Sequence, residues 1–419
     1  MGSDKGRVFK NMAVLAMGVG GAKLLAFLAT PLLTRLFDPA EFGVLSVFTA
    51  YVLIISPFCS LRYAAALPLP KSDAAALNLA ALTALLIMLL STIVVVVLIL
   101  FDWIVPEIGF HSISEYWIGL WIALILYGLF ELAVAWGIRK RLFGGISKAT
   151  FLQAVFGEGA KLASGLFKLG GGGLILGYVL GLLVAVSTFA YMLWKTSPQW
   201  RSISRARVAL VWKKYKEFPL YRMPSQIFLV VASQTPILAL ASLSGSAAAG
   251  QLGLAMTVIA VPMTLLGQTT SQAYYSEIAK LGASKASTIY DLTKYVTLRL
   301  FAVSLLPFLI LLFGGEWGFS KLFGSHWSQA GKFASSLSVY LVLQFVAAPL
   351  VNVLNVFGQH GKFLRINLVR AVLVVGVFLV AWRLDISAEK SILAYGTVLS
   401  AHYLVFLVST FLFLRRAAR

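Results

Sequence analysis

The chain has 419 residues, of which 60% are hydrophobic and 12% charged, against roughly 45–50% and about 25% in soluble globular domains. So large an excess of apolar side chains needs lipid around it and excludes a soluble globular fold. The net charge of +20 comes from basic residues in short connections between apolar runs, so it indicates membrane topology and not nucleic-acid binding. The single cysteine, Cys59, excludes an intramolecular disulfide and a cysteine metal cluster.

Twelve apolar segments follow one another along the chain, each long enough to cross a hydrocarbon core about 30 Å thick as a helix. We therefore predict an all-α, polytopic membrane protein of about twelve transmembrane helices. The segments lie at about residues 11–36, 42–67, 74–101, 116–138, 149–168, 172–194, 218–242, 248–274, 294–314, 329–357, 364–382 and 391–414.

The basic residues fall mostly on one side of the predicted helices. Of the 35 lysines and arginines, 27 belong to the termini and the connections on the same side, 6 belong to the opposite connections, and two, Lys23 and Lys161, lie within spans. Short cytoplasmic loops are enriched in Lys and Arg. This asymmetry predicts that both termini are cytoplasmic.

A basic, partly amphipathic segment divides the chain into two halves. Residues 195–217 interleave apolar and cationic side chains, which is typical of a helix on an anionic membrane surface. The Thr-Pro pair at residues 30–31 recurs 205 residues later at 235–236, which indicates parallel repeats. We predict an N-terminal six-helix lobe over 1–194, a cytoplasmic interfacial linker over 195–217 and a C-terminal six-helix lobe over 218–419, with a central cavity between the lobes.

Lys23 is the most informative charge because it lies about 18 Å into the first span. A charge near the bilayer centre costs about 2.5–3.5 kcal/mol or more unless it faces a polar cavity or a partner. Two interpretations stay open. Lys23 either lines a cavity and attracts an anionic substrate, or forms a buried pair with Glu131 or Glu158.

Two carboxylates also lie within predicted spans. Glu158 and Lys161 are three residues apart, so they share a helix face and could neutralise one another. Alternatively Glu158, or Glu131 in the fourth span, binds a coupling proton, since burial favours the neutral carboxyl. Arg35 and Arg62 lie at opposite membrane edges, where they act either as interface anchors or at a cavity mouth.

No other cluster indicates chemistry. The glycines at 170–173 lack the Gly-Lys-Ser/Thr ending of a phosphate-binding loop, and no histidine pair has metal-ligand spacing. We expect no nucleotide cofactor and no metal, and the short connections leave no room for a catalytic domain outside the membrane.

Three stretches resemble one family of membrane proteins. Residues 30–43, with the sequence TPLLTRLFDPAEFG, are similar to the junction of the first two spans in the lipid-linked oligosaccharide flippases. These flippases form the polysaccharide-transport branch of the multidrug, oligosaccharidyl-lipid and polysaccharide exporter superfamily. Residues 218–262 resemble the start of their second lobe, and residues 323–331, with the sequence FGSHWSQAG, resemble an outer turn.

The resemblance implies a two-lobe transporter that moves polyprenyl-pyrophosphate-linked sugar repeat units from the inner to the outer leaflet of a bacterial cytoplasmic membrane. It implies Lys23 and Arg62 as the first contacts of the pyrophosphate, with Arg35 and Lys161 behind them. Glu131 and Glu158, as carboxylates within spans, remain the candidates for ion coupling. The expected partners are the lipid-linked glycan, the bilayer, a polysaccharide polymerase and a chain-length regulator, and no nucleic acid.

Two other functions compete with this interpretation. A drug or cation exporter of the same superfamily would have the same fold but would favour an acid, where this chain has Lys23 at the middle of its first span. An integral membrane polysaccharide polymerase would need a catalytic loop outside the bilayer, which the short connections disfavour.

Overall fold

The structure is a computed structural model that describes residues 2–104, 114–195, 202–262 and 267–418. Of residues 2–16, 194–195, 262, 268–269 and 360, only the backbone is described. The described residues form helices and turns, without a strand. The helices are α1 (Gly2–Leu36), α2 (Pro39–Ser60), α3 (Asp73–Ile104), α4 (Trp117–Arg139), α5 (Phe143–Leu166), α6 (Gly170–Lys195), α7 (Arg205–Lys214), α8 (Met223–Pro262), α9 (Gln268–Leu281), α10 (Ala286–Phe323), α11 (Ser328–Ala347), α12 (Val351–Val356), α13 (His360–Arg383) and α14 (Ala388–Ala417).

Ten helices of the described ranges are long and apolar enough to cross a membrane, so the chain is a multi-pass membrane protein. The predicted all-α polytopic fold is confirmed. Two of the twelve predicted segments are not counted among the ten. Helix α5, the predicted fifth span, carries Gln153, Glu158 and Lys161 and is therefore less apolar.

The other difference is at α8, where the seventh and eighth predicted segments form one helical run. Gly245 interrupts this run with φ 83° and ψ 171°, so two helices meet there. A residue with a side chain rarely adopts a φ in this range, which explains why glycine stands at the junction. The predicted eighth segment, 248–274, also includes residues 263–266, which lie outside the described residues.

The chain divides into two compact units, Met1–Val230 and Val231–Arg419. In the first unit, α1 packs along α5, α5 along α6, and α4 contacts α2, α3 and α6. In the second unit, α11 packs between α10 and α14, and α13 packs against α14. The lobe boundaries predicted from the sequence, near 194 and 218, stay a prediction.

The start of α2 follows directly from the sequence after α1. Asp38 accepts a hydrogen bond from the Glu41 backbone N–H at 2.8 Å, and the Glu41 carboxylate accepts one from the Asp38 N–H at 2.8 Å. Pro39 occupies the first turn, where its missing N–H is not needed. This capping box satisfies two backbone donors that would otherwise lie unpaired at the helix start.

The linker after α6 is docked onto the first unit. Val211 and Tyr215 are buried in one apolar cluster with residues of the first half of α3, and the Tyr63 and Trp212 rings lie 5.7 Å apart. The fully buried Asn78 of α3 accepts a hydrogen bond from the Ser204 N–H at 3.0 Å. One face of α7 therefore packs on protein while its arginines and lysines remain exposed.

Candidate functional site

A cavity of about 370 Å³ lies within the first unit, among α1, α4, α5 and α6. Lys23, Glu158 and Lys161 all line it, so the structure brings together three charges that are distant or ambiguous in the sequence. Polar side chains of Thr150, Gln153 and Tyr178 also face it, and apolar and glycine residues complete the lining. A polar cavity at this depth is the environment that makes charges within a membrane protein tolerable.

The polar lining comes mainly from one face of α5. Thr150, Gln153, Gly157 and Lys161 follow each other at intervals of three or four residues, the spacing of one helix face. Sequence analysis did not identify Thr150, Gln153 or Tyr178. The helical spacing of polar residues in the predicted fifth span was the signal that could have found the first two.

Glycines bring α5 and α6 close together beside this face. A Cβ atom added at Gly177 would lie 2.9 Å from the backbone oxygen of Gly157 and would overlap the stem of Lys161. A Cβ added at Gly181 would lie 2.9 Å from the backbone oxygen of Gln153. The space that the missing Cβ of Gly177 leaves is therefore taken by the Lys161 side chain.

Lys161 and Glu158 form an ion pair on the cavity wall. The Lys161 Nζ donates to the Glu158 Oε1 at 2.8 Å, and both side chains are largely buried, with 13% and 14% exposed. The predicted internal pair at i,i+3 is thus observed. Its two charges cancel, so neither contributes a net charge to the cavity while the pair is closed.

Lys23 adds an uncompensated positive charge to the same cavity. Within the described part of the chain, its ammonium has no ion pair or hydrogen bond, and its side chain is exposed to the cavity. The alternative of a buried pair with Glu131 or Glu158 is not observed, because each of these carboxylates is paired with another cation. With Lys161 and Glu158 neutralising each other, the cavity carries a net charge of +1.

Arg62 and Glu131 form a second ion pair, between the end of α2 and the middle of α4. Arg62 Nη1 donates to Glu131 Oε1 at 3.2 Å, and the Ser56 hydroxyl donates to Glu131 Oε2 at 3.4 Å. The side chains are about one quarter exposed, at 23% and 26%. Arg62 has a left-handed backbone with φ 56°, which follows the end of α2.

Two tyrosines of the same unit belong to the helices that carry these groups. Tyr127 precedes Glu131 by one helical turn on α4. Tyr178 lines the cavity and packs edge-on against Phe48, with ring centroids 6.1 Å apart. The phenol of Tyr178 therefore adds a polar group to the cavity wall.

Arg35 is separate from these groups. It lies in the last turn of α1, about 18 Å from Lys23 along the helix axis, and its side chain is exposed and does not line the cavity. The structure thus joins two of the four predicted substrate-binding residues, Lys23 and Lys161, in one cavity. It places Arg62 in the pair with Glu131 and leaves Arg35 at a helix end.

A cation in the second unit was missed by sequence analysis. Arg370, inside the predicted segment 364–382, lies ten residues into α13 and donates from Nη1 to the Tyr403 hydroxyl at 3.1 Å. The ring of Tyr340 lies 5.8 Å from those of both Tyr395 and Tyr403. The sequence did not indicate this contact, because Arg370 and Tyr403 are 33 residues apart and lie on different helices.

A family model described as "Polysaccharide biosynthesis protein" matches residues 32–332. No curated protein sequence matches the chain.

Several solved structures have the same fold. An inward-facing multidrug resistance MATE family transporter of the MOP superfamily is 14% identical, with 97% of this chain and 98% of that chain covered and a TM-score of 0.73. A mutant of the Vibrio cholerae MATE transporter VcmN is 15% identical, with 98% and 95% covered and a TM-score of 0.54. At such identities the likeness shows the fold alone.

A MOP superfamily transporter from Pyrococcus furiosus is also similar. It is 15% identical, with 98% of this chain and 96% of that chain covered and a TM-score of 0.54. Its structure is reported with the statement that the reverse polarity of its binding pocket suggests a different function.

Proposed function

This chain belongs to the polysaccharide biosynthesis protein family, and from that premise we propose that it translocates polyprenyl-pyrophosphate-linked oligosaccharide repeat units. The direction is from the cytoplasmic to the outer leaflet of the bacterial inner membrane. The repeat units would serve the assembly of a surface polysaccharide such as O-antigen or exopolysaccharide.

The observation that carries the proposal is the net positive cavity of the first unit. Lys23 presents an ammonium that no carboxylate of the described residues neutralises, beside the closed pair of Lys161 and Glu158. Phosphate oxygens are strong acceptors for such charge-assisted hydrogen bonds. The sugar hydroxyls need polar partners too, because each unpaired polar group costs several kcal/mol in hydrocarbon, and Thr150, Gln153 and Tyr178 supply them.

The ion pair on the cavity wall can supply a second cation, Lys161, when the pair opens. An anionic head group that approaches Lys161 competes with Glu158 for the ammonium, and protonation of Glu158 would release Lys161 completely. The same exchange applies to Arg62 and Glu131. We therefore assign Lys23 as the primary pyrophosphate contact, and Lys161 and Arg62 as cations released from Glu158 and Glu131. A role of Arg35 in substrate binding stays a prediction from the sequence, because its side chain does not line this cavity.

The transport cycle follows from these exchanges. We propose alternating access of two six-helix lobes, 1–194 and 218–419, joined by the interfacial linker 195–217, with both termini in the cytoplasm. In an inside-negative membrane, outward movement of one negative charge is favoured by about 2.3 kcal/mol per 100 mV. Protons on Glu131 or Glu158 would reset the empty transporter. The cycle uses no nucleotide cofactor.

A drug or cation exporter is the second candidate function, favoured by the shared fold with multidrug resistance MATE transporters. The charge of the cavity argues against a cationic substrate, since Lys23 would repel it. Pocket polarity can differ within the fold, as the report on the Pyrococcus furiosus transporter suggests. An integral membrane polymerase is a weaker candidate. Within the proposal, a polymerase and a chain-length regulator are separate partners, and nucleic acid is not one.

Deletion and complementation in cells test the proposal. A strain that lacks the protein should accumulate polyprenyl-linked repeat units on the cytoplasmic side and lose surface polysaccharide. The wild-type gene should restore export, and a gene carrying Lys23→Ala should not. Normal polysaccharide in the deletion strain, with drug susceptibility increased, would support the exporter instead.

A further inference from the structure

A second cavity of the first unit lies among α3, α4 and α6 and has no role in the proposed translocation. Its volume is about 270 Å³, and nearly all of its lining is apolar. Small side chains on α3, including Ala80, Ala81 and Ala84, leave the space that larger residues would fill. Apolar cavities of about 150 Å³ already accommodate small hydrocarbons and stay free of water, so this one suits a hydrocarbon chain.

A residue that lines this cavity carries a buried polar atom without a hydrogen-bond partner in the described part of the chain. Trp136 lines the cavity and is 3% exposed, and its indole N–H finds no hydrogen-bond acceptor among the described residues. A buried donor without an acceptor is unfavourable and uncommon. An occupant that brings an oxygen atom to Trp136 would remove this penalty, so the occupant is amphiphilic and not a pure hydrocarbon.

Cations gather at the end of the cavity beyond Trp136. Arg139 and Lys140 both pair with Asp73, with Arg139 Nη2 to Asp73 Oδ1 at 3.0 Å. Lys140 Nζ also lies 5.8 Å from the Trp136 ring centroid. Two cations share one carboxylate, which leaves a net positive charge at this end of α4.

The linker adds a third cation on the same side. Ile203 lines the cavity, and Arg207 Nη1 donates to the backbone oxygen of the neighbouring Ser202 at 3.1 Å. The polar end of the cavity is therefore basic, whereas the opposite end, near Ala84 and Leu129, is apolar.

We propose that this cavity holds one acyl chain of an anionic phospholipid from the surrounding bilayer. The order of groups along α4 matches such a lipid. Arg139 and Lys140 stand at the level of the phosphate, Trp136 lies about 4.5 Å deeper at the level of the glycerol esters, and Leu129 lies about 10 Å below Trp136 at the level of the chain. The ester carbonyl accepts the hydrogen bond of the Trp136 indole.

The chemistry favours a phospholipid over the polyprenyl tail of the transported substrate. A polyprenyl phosphate carries no carbonyl below its phosphate, so it would leave the Trp136 N–H unpaired. The cavity of Lys23 and Lys161 is lined by other residues, which belong to α1, α5 and the opposite part of α6, with Phe130 of α4. Lipid binding here is therefore independent of the proposed translocation and can fail or hold without it.

Native mass spectrometry of the purified full chain tests this site. The protein is mixed with equal amounts of phosphatidylglycerol and phosphatidylcholine, and the bound lipid is counted. We expect the wild type to retain one phosphatidylglycerol in preference to phosphatidylcholine. Ala81→Phe, which fills the cavity, should lower this occupancy at least fivefold, and Leu85→Phe, at a lipid-exposed position of α3, should leave it unchanged.

Trp136→Phe keeps the ring and removes only the N–H, so it tests the hydrogen bond even if the larger change at Ala81 prevents folding. Its occupancy should fall on the order of fivefold, the effect of one neutral hydrogen bond. Wild-type retention of phosphatidylglycerol by Trp136→Phe, or by a folded Ala81→Phe, would overturn the proposal. Displacement of phosphatidylglycerol by an equal amount of undecaprenyl phosphate would overturn it too and assign the cavity to isoprenoid chains.

Discussion

Glu131 accepts a hydrogen bond from Arg62 at 3.2 Å, so a carboxylate that could have neutralised Lys23 is already bound to another cation. Glu158 is bound to Lys161 in the same way. Both acids are thus held by residues whose release a substrate or a proton can trigger, and Lys23 is left as the free charge of the cavity within the described residues.

Loss of one partner should destabilise the protein more than loss of both at the second pair. We expect Arg62→Gln to lower the free energy of unfolding by about 1–3 kcal/mol, because Glu131 is left partly buried without its cation. The double variant Arg62→Gln with Glu131→Gln should recover part of this loss. Thermal unfolding of the four proteins in detergent measures the coupling, and additive losses would show that the two side chains do not interact.

The close approach at Gly177 should be needed to position Lys161. Gly177→Ala forces a methyl group against Gly157 and the Lys161 stem, so we expect a loss of about 1–3 kcal/mol in stability and reduced polysaccharide export. Gly159→Ala is the matched control on α5, since its added Cβ meets no atom within 4 Å. Polysaccharide export, measured together with the amount of each variant in the membrane, distinguishes a transport defect from low expression. Equal export and stability of Gly177→Ala and Gly159→Ala would contradict the role of Gly177 in positioning Lys161.

Removal of the negative charge at Glu158 should change the cavity from a net charge of +1 to +2. We expect Glu158→Gln to bind the lipid-linked pyrophosphate roughly tenfold more tightly or better, given the strength of hydrogen bonds between charged groups, and to release it more slowly. Lys161→Gln should weaken binding by a similar factor. Binding of lipid-linked oligosaccharide to protein in nanodiscs measures both, and the same affinity in the two variants would argue against an anionic ligand.

Asn78 should hold the linker on the first unit. It donates to the backbone oxygen of Ser202 at 3.0 Å and accepts from the Ser204 N–H. Asn78→Ala therefore removes the acceptor of the Ser204 N–H and leaves the Ser202 oxygen bonded to Arg207 alone, at a cost of about 1–3 kcal/mol. We expect faster tryptic cleavage in α7, after Lys213 or Lys214. Asn355→Ala, an exposed asparagine of the second unit, serves as control. Unchanged cleavage in Asn78→Ala would show that the apolar contacts suffice.

Much of the fold was predictable because hydropathy and length alone define most membrane helices. The capping box of Asp38 and Glu41 is likewise local and readable from the sequence. The single run of α8 across Gly245 was not, since a glycine between two apolar segments suits a loop and a helix junction equally well.

The candidate site was predictable where the chemistry is local. Glu158 and Lys161 lie one helical turn apart, so their pairing followed from helix geometry alone. Arg62 and Glu131 are 69 residues apart in the chain, and only the packing of α2 against α4 brings them together. Lys23 faces the cavity because of the rotation of α1 about its own axis, which the sequence does not determine.

Flipping by purified protein tests the central claim most directly. A lipid-linked oligosaccharide is placed in proteoliposomes, and a sugar-modifying enzyme added outside reports the molecules that reach the outer leaflet. We predict rapid flipping by the wild type and by Lys148→Ala, which removes an exposed lysine of α5 outside the cavity. Lys23→Ala should reduce flipping to the rate of protein-free liposomes. Flipping by Lys23→Ala at the wild-type rate would contradict translocation through a cationic cavity.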